Sequence, residues 1–432
     1  MKNKVNIGLI GWGTVGSGVV RILKERKKHL SRRVGAQLRL KSIVDLDINK
    51  ARSVKVNRKI LSREAKNILS DPEIDIVVQL IGGEHPAKDY MTNAFKKGKS
   101  VVTANKALLA KHGKEIFKLA RENNAEVGYE ASVCGGIPLI RSIKEGLLAN
   151  KIEELRGIIN GTSNYILTRM EEENYSFNEA LQEAKKRGYA EADAGLDISG
   201  LDSAHKLAVL ASLTFGTSVA LSDIYVEGID LITLQDIRYA RELGYAVKLL
   251  AIAKEKQGRI EARVHPVLIS ADYILASVRH NFNAVCLKGD KVGELIFYGA
   301  GAGQLPTASS VVSDICDIAG KLIRGGKGRV NSFLYDALSK KVSPINKLES
   351  RYYVRFTTLD NPGVLAKISR ILGRKNISIA SVIQKQRKEG RTVPIVMMTH
   401  KALEENMRRA LGQIDKLSVV KGKTVAIRVE EV

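Results

Sequence analysis

The sequence predicts an α/β chain in three parts: a doubly wound parallel sheet, a mixed α+β middle, and a small βαββαβ module at the C-terminus. Three observations carry that prediction. Over residues 1–135 short apolar runs alternate with helical patterns. Gly11-Trp-Gly13-Thr14-Val15-Gly16 joins the first run to a helical pattern. Residues 350–432 show strand and helix signals in the order βαββαβ.

The N-terminal strands are read at VNIGLIG (5–11), LRLKSIV (38–44), IDIVVQLIG (74–82), KSVVTA (99–104) and AEVGYEA (125–131). Several are apolar without alternation, which suits strands buried on both faces of a parallel sheet. Helical spacing of apolar residues marks 18–30 and 107–123 between them. The middle, 136–304, is mixed, with a helix over LDSAHKLAVLASLTFG (201–216). It ends in the glycine-rich turn YGAGAGQLPTAS (298–309), and a helix over 309–323 is expected to pack back and complete the first domain through about 305–340. Residues 324–350, rich in Gly, Lys and Ser, read as a connector. Beyond it RYYVRFTTL is a strand, and Asp360-Asn-Pro-Gly363 is a turn whose Pro362 suits a first helical turn. VLAKISRILGRKN follows as a helix, then two strands joined by KEG, a helix at about 402–413 and a last strand near 418–430.

Composition narrows the function. The chain has 432 residues, 44% of them hydrophobic, and no stretch nears the roughly 18–20 apolar residues of a membrane helix. MKNKVNIGLIGWG runs straight into a glycine turn and reads as a first strand rather than a signal peptide. Cys134, Cys286 and Cys316 are odd in number and without metal-like spacing, so reduced thiols in a cytoplasmic protein are expected. The sequons at Asn160, Asn174 and Asn376 carry no meaning in that compartment. The formal charge of +24 raises nucleic-acid binding, but the Lys and Arg are spread along the chain and aromatic residues make up only 5%. General basicity that attracts anionic ligands is the better reading.

The glycine motif follows a strand and opens a helix, the context in which a pyrophosphate approaches a helix N-terminus. Gly11, Gly13, Thr14, Val15 and Gly16 are therefore cofactor candidates. Asp45 ends the second strand, where an acid takes ribose hydroxyls of NAD, whereas Lys50 and Arg52 just beyond favour the 2′-phosphate of NADP. The choice stays open. Lys106, past a strand's carboxyl end, faces the ligand crevice of such a sheet or lies solvated at a helix start.

YAEADAGLDISGLDSAHK (189–206) poses the sharper question. Ser199 and Asp202 fit a capping box, and Asp202 and Lys206 an i, i+4 ion pair of a few tenths of a kcal/mol. Spacing alone favours that plain helix start. The same geometry also allows Glu191, Asp197 and Asp202 to hold an ammonium and a hydroxyl beside Lys206, a proton donor because lysines, with a reference pKa of about 10.4, are normally protonated near neutral pH.

Read together, GLIGWGTVGSGVV, VVQLIGG, VVTANKALLA, YEASVCGGIPLI, GIINGTSNYIL, GYAEADAGLDISGLDSAHKLAVLA and GAGAGQLPTAS resemble the homoserine dehydrogenase family over essentially the full chain. The resemblance reverses the preference for a plain helix start. It implies reversible NADPH- or NADH-dependent reduction of L-aspartate 4-semialdehyde to L-homoserine, in threonine, methionine and isoleucine biosynthesis. It implies that Lys206 donates the proton, that Lys106 lies between nicotinamide and substrate, and that Glu191 and Asp202 bind substrate with Asp197 in support. Gly82 and Gly303 join the cofactor site, and a sodium ion is implied at Glu130, Val133, Gly135 and Ile137 through main-chain carbonyls. Many NADP-using members carry an arginine beside the acid after strand two, whereas Val44 precedes Asp45 here, so dual or NAD use stays open. LDNPGVLAKISRIL resembles an ACT domain, which implies an amino-acid effector, usually L-threonine; a purely oligomerising role is its alternative.

The expectation is a cytoplasmic, monofunctional homodimer or homotetramer with a Rossmann-type domain, a catalytic and dimerisation domain, and a regulatory ACT domain. The rivals are another amino-acid-linked oxidoreductase and a non-enzymatic sensor of cofactor and amino acid, to which the high charge adds nucleic-acid binding as an option.

Overall fold

The computed structural model of the protein describes residues 3–325, 340–385 and 392–431. Part of the expected connector, 326–339, and the expected joint at 388–390 lie outside the described residues. The chain begins β1 (Lys4–Ile10), α1 (Thr14–Glu25), α2 (Lys27–Val34), β2 (Gln37–Val44), β3 (Leu61–Ser62), α3 (Lys66–Leu69), β4 (Ile76–Gln79) and α4 (Ala87–Lys96). It continues β5 (Ser100–Thr103), α5 (Lys106–Glu122), β6 (Val127–Gly128), α6 (Leu139–Arg141), β7 (Ile152–Ile158), α7 (Gly161–Glu172), α8 (Phe177–Lys186), α9 (Gly195–Ile198) and α10 (Leu201–Phe215). Next come β8 (Tyr225–Val226), α11 (Leu234–Glu242), β9 (Tyr245–Lys256), β10 (Arg259–Ser270), β11 (Phe282–Gly289), β12 (Gly293–Ala300) and α12 (Gln304–Ile323). The C-terminal elements are β13 (Glu349–Leu359), α13 (Val364–Arg374), β14 (Ile379–Ile383), β15 (Thr392–Thr399), β16 (Ala402–Leu403), α14 (Glu404–Ile414) and β17 (Val425–Val429).

These elements form two compact units. The first comprises Met1–Leu155, His205–Ser222 and Asn283–Lys340. Its sheet runs β3-β2-β1-β4-β5-β6 with every pair parallel. β4 and β5 are buried throughout, which is why their sequences do not alternate. Strand order reverses between β1 and β4, and such a switch point opens a crevice at the carboxyl ends of the strands. Val5, Ile7 and Leu9 of β1 share a core with Val19 and Val20 of α1 and Ala308, Val311 and Ile315 of α12. α12 lies close on α1 because residue 18 is glycine: a Cβ there would stand 2.8 Å from Ala308 Cβ and from the Gln304 carbonyl. Pro306 falls in the first turn of α12, where a missing N–H costs nothing.

Three local readings need correction. The helix expected over 18–30 is two, broken at Arg26, because the apolar stripe ends at Leu23 and α2 buries none of its residues. The helix expected from 309 starts at Gln304. β3 and α4 had not been expected; α4 is betrayed by Ala87, Met91, Ala94 and Phe95, a buried helical stripe.

The second unit comprises Arg156–Ala204, Asp223–Phe282 and Lys341–Val432. β9 and β10 form a hairpin paired from Lys256↔Arg259 to Tyr245↔Ser270, turned by Gln257 and Gly258 at φ +50° and +75°. β17 pairs parallel with β10 (Val267↔Arg428) and antiparallel with β13 (Tyr353↔Ile427). β13 then pairs β15, and β15 pairs β14, so the C-terminal βαββαβ module extends the hairpin's sheet. Its own core joins Tyr352, Val354 and Phe356 to Ile368, Leu372, Met407 and Ile414. Pro362 precedes the N-cap Gly363, whose φ of +84° turns the chain into α13, so the proline sits one step before the first helical turn rather than within it.

A buried ion pair fastens the module to α11. Arg355 donates to both carboxylate oxygens of the fully buried Asp236, at 2.6 Å from Nε and 2.9 Å from an Nη, and the Tyr353 hydroxyl adds 3.0 Å. Asp236 also closes a capping box with Thr233. Removing one partner of such a pair strands the other charge. Arg355→Ala should therefore lower unfolding free energy by about 3–5 kcal/mol in urea titration. A loss under about 1 kcal/mol, the range of surface pairs, would contradict this account.

Candidate active site

The glycine turn is shaped for a close ligand. Gly11 has φ +98°, and a Cβ there would press within 2.9 Å of the Leu80 carbonyl carbon. A Cβ on Gly16 would overlap the Gly11 carbonyl oxygen, so α1 starts tight against the turn. Gly13 is the N-cap of α1 with no side-chain cap and nothing within 4 Å of where its Cβ would be. The amides at Thr14, Val15 and Gly16 thus form an uncapped helix N-terminus with open space before it, which fits a pyrophosphate.

Asp45 is tied into this turn. Its Oδ2 accepts from the Trp12 amide at 2.7 Å and its Oδ1 lies 3.0 Å from an Nη of Arg52. Arg52 also donates to the Trp12 carbonyl at 2.6 Å and stacks over the indole at 4.3 Å. In the sequence Asp45 and Arg52 are opposing signals; the structure makes them one paired unit, with Trp12 as a member that its residue type does not single out.

The floor of the crevice is a polar chain at the ends of β4 and β5. Thr103 donates to Gln79 at 2.6 Å, Gln79 donates to the Ile81 carbonyl at 2.7 Å, and Asn105 donates to the Gly83 carbonyl at 2.7 Å. These bonds hold the loop that carries Gly82. The Asn105 side chain caps α5 by accepting from the Leu108 amide at 3.0 Å, so Lys106 emerges as the first residue of that helix. Gln79, Thr103 and Asn105 are positioning groups that residue types alone did not single out.

Beside the crevice lies a sharp turn, 133–137. Cys134 and Gly135 both have positive φ, +52° and +54°. A Cβ on Gly135 would meet Ala302 N at 3.0 Å, so the turn carries the loop ending at Gly303, itself at φ +121°. The Gly135 carbonyl accepts from the Ser310 hydroxyl at 2.7 Å. The Glu130 carboxylate accepts from the Ile140 and Arg141 amides at 2.7 and 2.8 Å, so it caps the helix beginning there. Asp314 accepts from the Glu130 amide at 2.9 Å. Burial raises the Glu130 carboxyl, and burial together with the Glu130 charge raises Asp314 to about 7. Among the described residues no three His, Cys, Asp or Glu cluster as metal ligands. A cation here would rely on main-chain oxygens. Asn283, fully buried, has both amide atoms unpartnered, and it fills the space where a Gly301 side chain would go.

The second unit assembles the acids. Asn160, N-cap of α7, donates from Nδ2 to Asp197 at 2.6 Å and to Asp202 at 2.8 Å, while its Oδ1 accepts from the Ser163 amide at 2.7 Å. The Asp202 side chain is buried, and the amide fixes two carboxylates without adding charge. Asn160 had been set aside as an empty sequon; the signal that could have found it is its place in GIINGTSNYIL. Glu191 stands exposed on the loop between α8 and α9, outside that hydrogen-bonded set. Thr162 donates to the Tyr189 carbonyl at 2.6 Å and Lys185 to the Ala192 carbonyl at 2.8 Å, which tether the loop. The capping box at Ser199 is not formed: Ser199 ends α9, its hydroxyl reaches back toward the Leu196 carbonyl at 3.4 Å, and Gly200 at φ +82° separates the helices. Lys206 follows Asp202 by one turn of α10 and is half-buried.

Comparison with known proteins agrees with this anatomy. Residues 138–316 match the homoserine dehydrogenase family, 11–130 the homoserine dehydrogenase NAD-binding domain, and 352–419 the ACT domain. Homoserine dehydrogenase of Neisseria gonorrhoeae is 42% identical over 429 residues, 99% of this chain and 98% of its own. That of Bacillus subtilis is 38% identical over 427 residues, 99% and 98%. A crystal structure of a homoserine dehydrogenase from Thiobacillus denitrificans superposes with TM-score 0.92 at 42% identity, covering 99% of this chain and 98% of that one. An archaeal homoserine dehydrogenase mutant in complex with NADPH gives TM-score 0.62 at 29% identity, covering 74% of this chain and 98% of that one.

Glu130 and Asp314 make stability depend on pH. A carboxyl whose folded pKa is raised binds its proton more tightly when folded, so its contribution is full at low pH and is lost as pH rises through the folded value. Stability should fall between about pH 4 and the Asp314 value of about 7. Asp314→Asn, which keeps an acceptor for the Glu130 amide, should flatten that fall in melting temperatures measured across the range. Parallel curves for the two proteins would contradict the assignment.

Proposed function

The chain belongs to the homoserine dehydrogenase family, and on that premise we propose how its residues divide the reaction. The activity is the reversible NAD(P)H-dependent interconversion of L-aspartate 4-semialdehyde and L-homoserine. The observation that carries the assignment is the Asn160–Asp197–Asp202 set one helical turn ahead of Lys206. Asp202 and Glu191 bind the substrate's ammonium and hydroxyl, with Asp197 in support. In the reductive direction the Lys206 ammonium gives its proton to the aldehyde oxygen as the carbonyl carbon gains a hydride; oxidation runs the same steps in reverse. Lys106, at the start of α5, orients the substrate carbonyl. Fixed geometry in the site supplies most of the acceleration.

The bound nicotinamide supplies or takes up the hydride. Gly11, Gly13, Thr14, Val15 and Gly16 would hold its pyrophosphate, Asp45 and Arg52 the adenosine ribose, and Gly82, Lys106 and Gly303 the nicotinamide side. Because Arg52 neutralises Asp45, we favour NADP(H), with NAD(H) as the second cofactor. A sodium ion at the main-chain oxygens of Glu130, Val133, Gly135 and Ile137 would brace the turn beneath Gly303. The ACT domain supports an amino-acid effector, for which L-threonine is our candidate, and a homodimer or homotetramer is the assembly we propose.

The experiment is initial rates with L-homoserine, NADP and NAD in parallel, each with and without L-threonine. Turnover with NADP ahead of NAD and inhibition by threonine are expected; no turnover in folded protein would overturn the assignment. Lys206→Ala should lower kcat by about 10²–10⁴ while NADP still binds, as for loss of a general acid. Glu191→Gln should raise the homoserine KM, and an unchanged KM would remove Glu191 from the substrate site. Arg52→Ala should cut the NADP-to-NAD ratio of kcat/KM by about tenfold or more, the value of one charged hydrogen bond. An unchanged ratio would remove Arg52 from cofactor choice.

A further inference from the structure

Arg428, on the last strand of the ACT module, is buried in a ring of acids and tyrosines. It donates to Glu404 at 2.7 Å from Nε and 2.5 Å from an Nη, and to Glu227 at 2.6 Å. Glu404, in turn, accepts from the Tyr352 hydroxyl at 2.7 Å, and Glu227 accepts from the Tyr225 hydroxyl. Glu227 belongs to a short segment wedged between two parts of the second unit. On one side β8 pairs parallel with β10 (Val264↔Val226), and the Glu227 amide donates to the Val264 carbonyl at 2.8 Å. On the other side the Ile229 amide donates to the Ile198 carbonyl, the last residue of α9, at 2.9 Å. Gly228 between them has no room for a side chain: a Cβ would overlap the Ile198 carbonyl oxygen and stand 2.9 Å from Ser199 Cα. Gly200 is pressed from the same quarter, with a Cβ site 3.1 Å from the Glu227 carbonyl. α9 carries Asp197, and Gly200 leads into Asp202.

We propose that Glu227 and Gly228 are positioning residues for the substrate-side acids, linking Arg428 of the ACT module's last strand to α9 and so to Asp197 and Asp202. The proposal rests on the reading of those acids as the substrate site. The contacts are short and direct at each step. β17 shares a sheet with β10, and the Arg428 guanidinium fixes the Glu227 carboxylate. The Glu227–Ile229 backbone then abuts α9, and Asp197 on that helix shares the Asn160 amide with Asp202. A displacement of β17 therefore passes to the acids through packed backbone rather than through solvent. This gives the ACT module a route to substrate affinity that bypasses the cofactor cradle, which lies in the first unit.

The test uses full-length protein and reads homoserine and NADP KM separately. Gly228→Ala should push α9 and raise the homoserine KM about tenfold or more, as for a side-chain misplacement near 1 Å, with the NADP KM within about twofold. Glu227→Gln, which keeps the shape and removes the charge facing Arg428, should raise the homoserine KM by about threefold or more, again without moving the NADP KM. It serves if Gly228→Ala does not fold. A merely structural role would lower the melting temperature and the active fraction but leave both KM values alone. Asp202→Asn is measured alongside. If it raises the homoserine KM while the folded Gly228 and Glu227 variants do not, the linkage is overturned and the acid assignment stands. If Asp202→Asn also leaves that KM unchanged, the acid assignment falls and takes the linkage with it.

Discussion

Burying a carboxylate is expensive unless donors are fixed around it, and this protein is organised by how it meets that constraint. Asp236, Glu404 and Glu430 are almost wholly buried, and each is met by guanidinium or ammonium groups: Arg355 at Asp236, Arg428 and Arg408 at Glu404, and Arg156, Lys254 and Arg263 at Glu430. Those pairs lie where the C-terminal module meets the β9–β10 sheet and α11. At that junction these basic side chains are engaged in charge pairing within the fold.

The acids read as functional are held differently. Asp197 and Asp202 both accept from the neutral side-chain amide of Asn160. That shared donor supports the substrate-binding role proposed for the two acids. Asp45 is a third type, paired directly with Arg52, which stacks over the Trp12 ring, so the residue that would select NAD is neutralised by the residue that would select NADP. Glu130 and Asp314 are a fourth: both accept from backbone amides, yet burial, joined at Asp314 by the Glu130 charge, makes them hold a proton more tightly than ordinary carboxyls.

Backbone space is the second constraint. Gly11 and Gly16 let α1 start against its own turn, Gly18 lets α12 lie on α1, and Gly228 lets the segment after β8 press on α9. The first two uses serve the cofactor crevice. The last serves the acids, and the same absence of a side chain that permits close packing gives the ACT strand its mechanical reach.

The amino-acid sequence alone determined the parallel sheet, the dinucleotide turn and the βαββαβ module, because apolar runs, a glycine spacing after a strand and turn chemistry are local signals. It also named Asp197, Asp202, Lys106 and Lys206, through the resemblance their motifs carry. Tertiary structure decided what those residues touch. Asn160 lies 37 and 42 residues before the two acids it joins, Arg428 lies 201 residues beyond Glu227, and Asp314 lies 184 beyond Glu130. No periodicity or motif spans such separations. Whether an acid is a helix cap, a buried ion-pair member or a ligand group depends on the donors the fold brings to it, and only the folded chain assembles them.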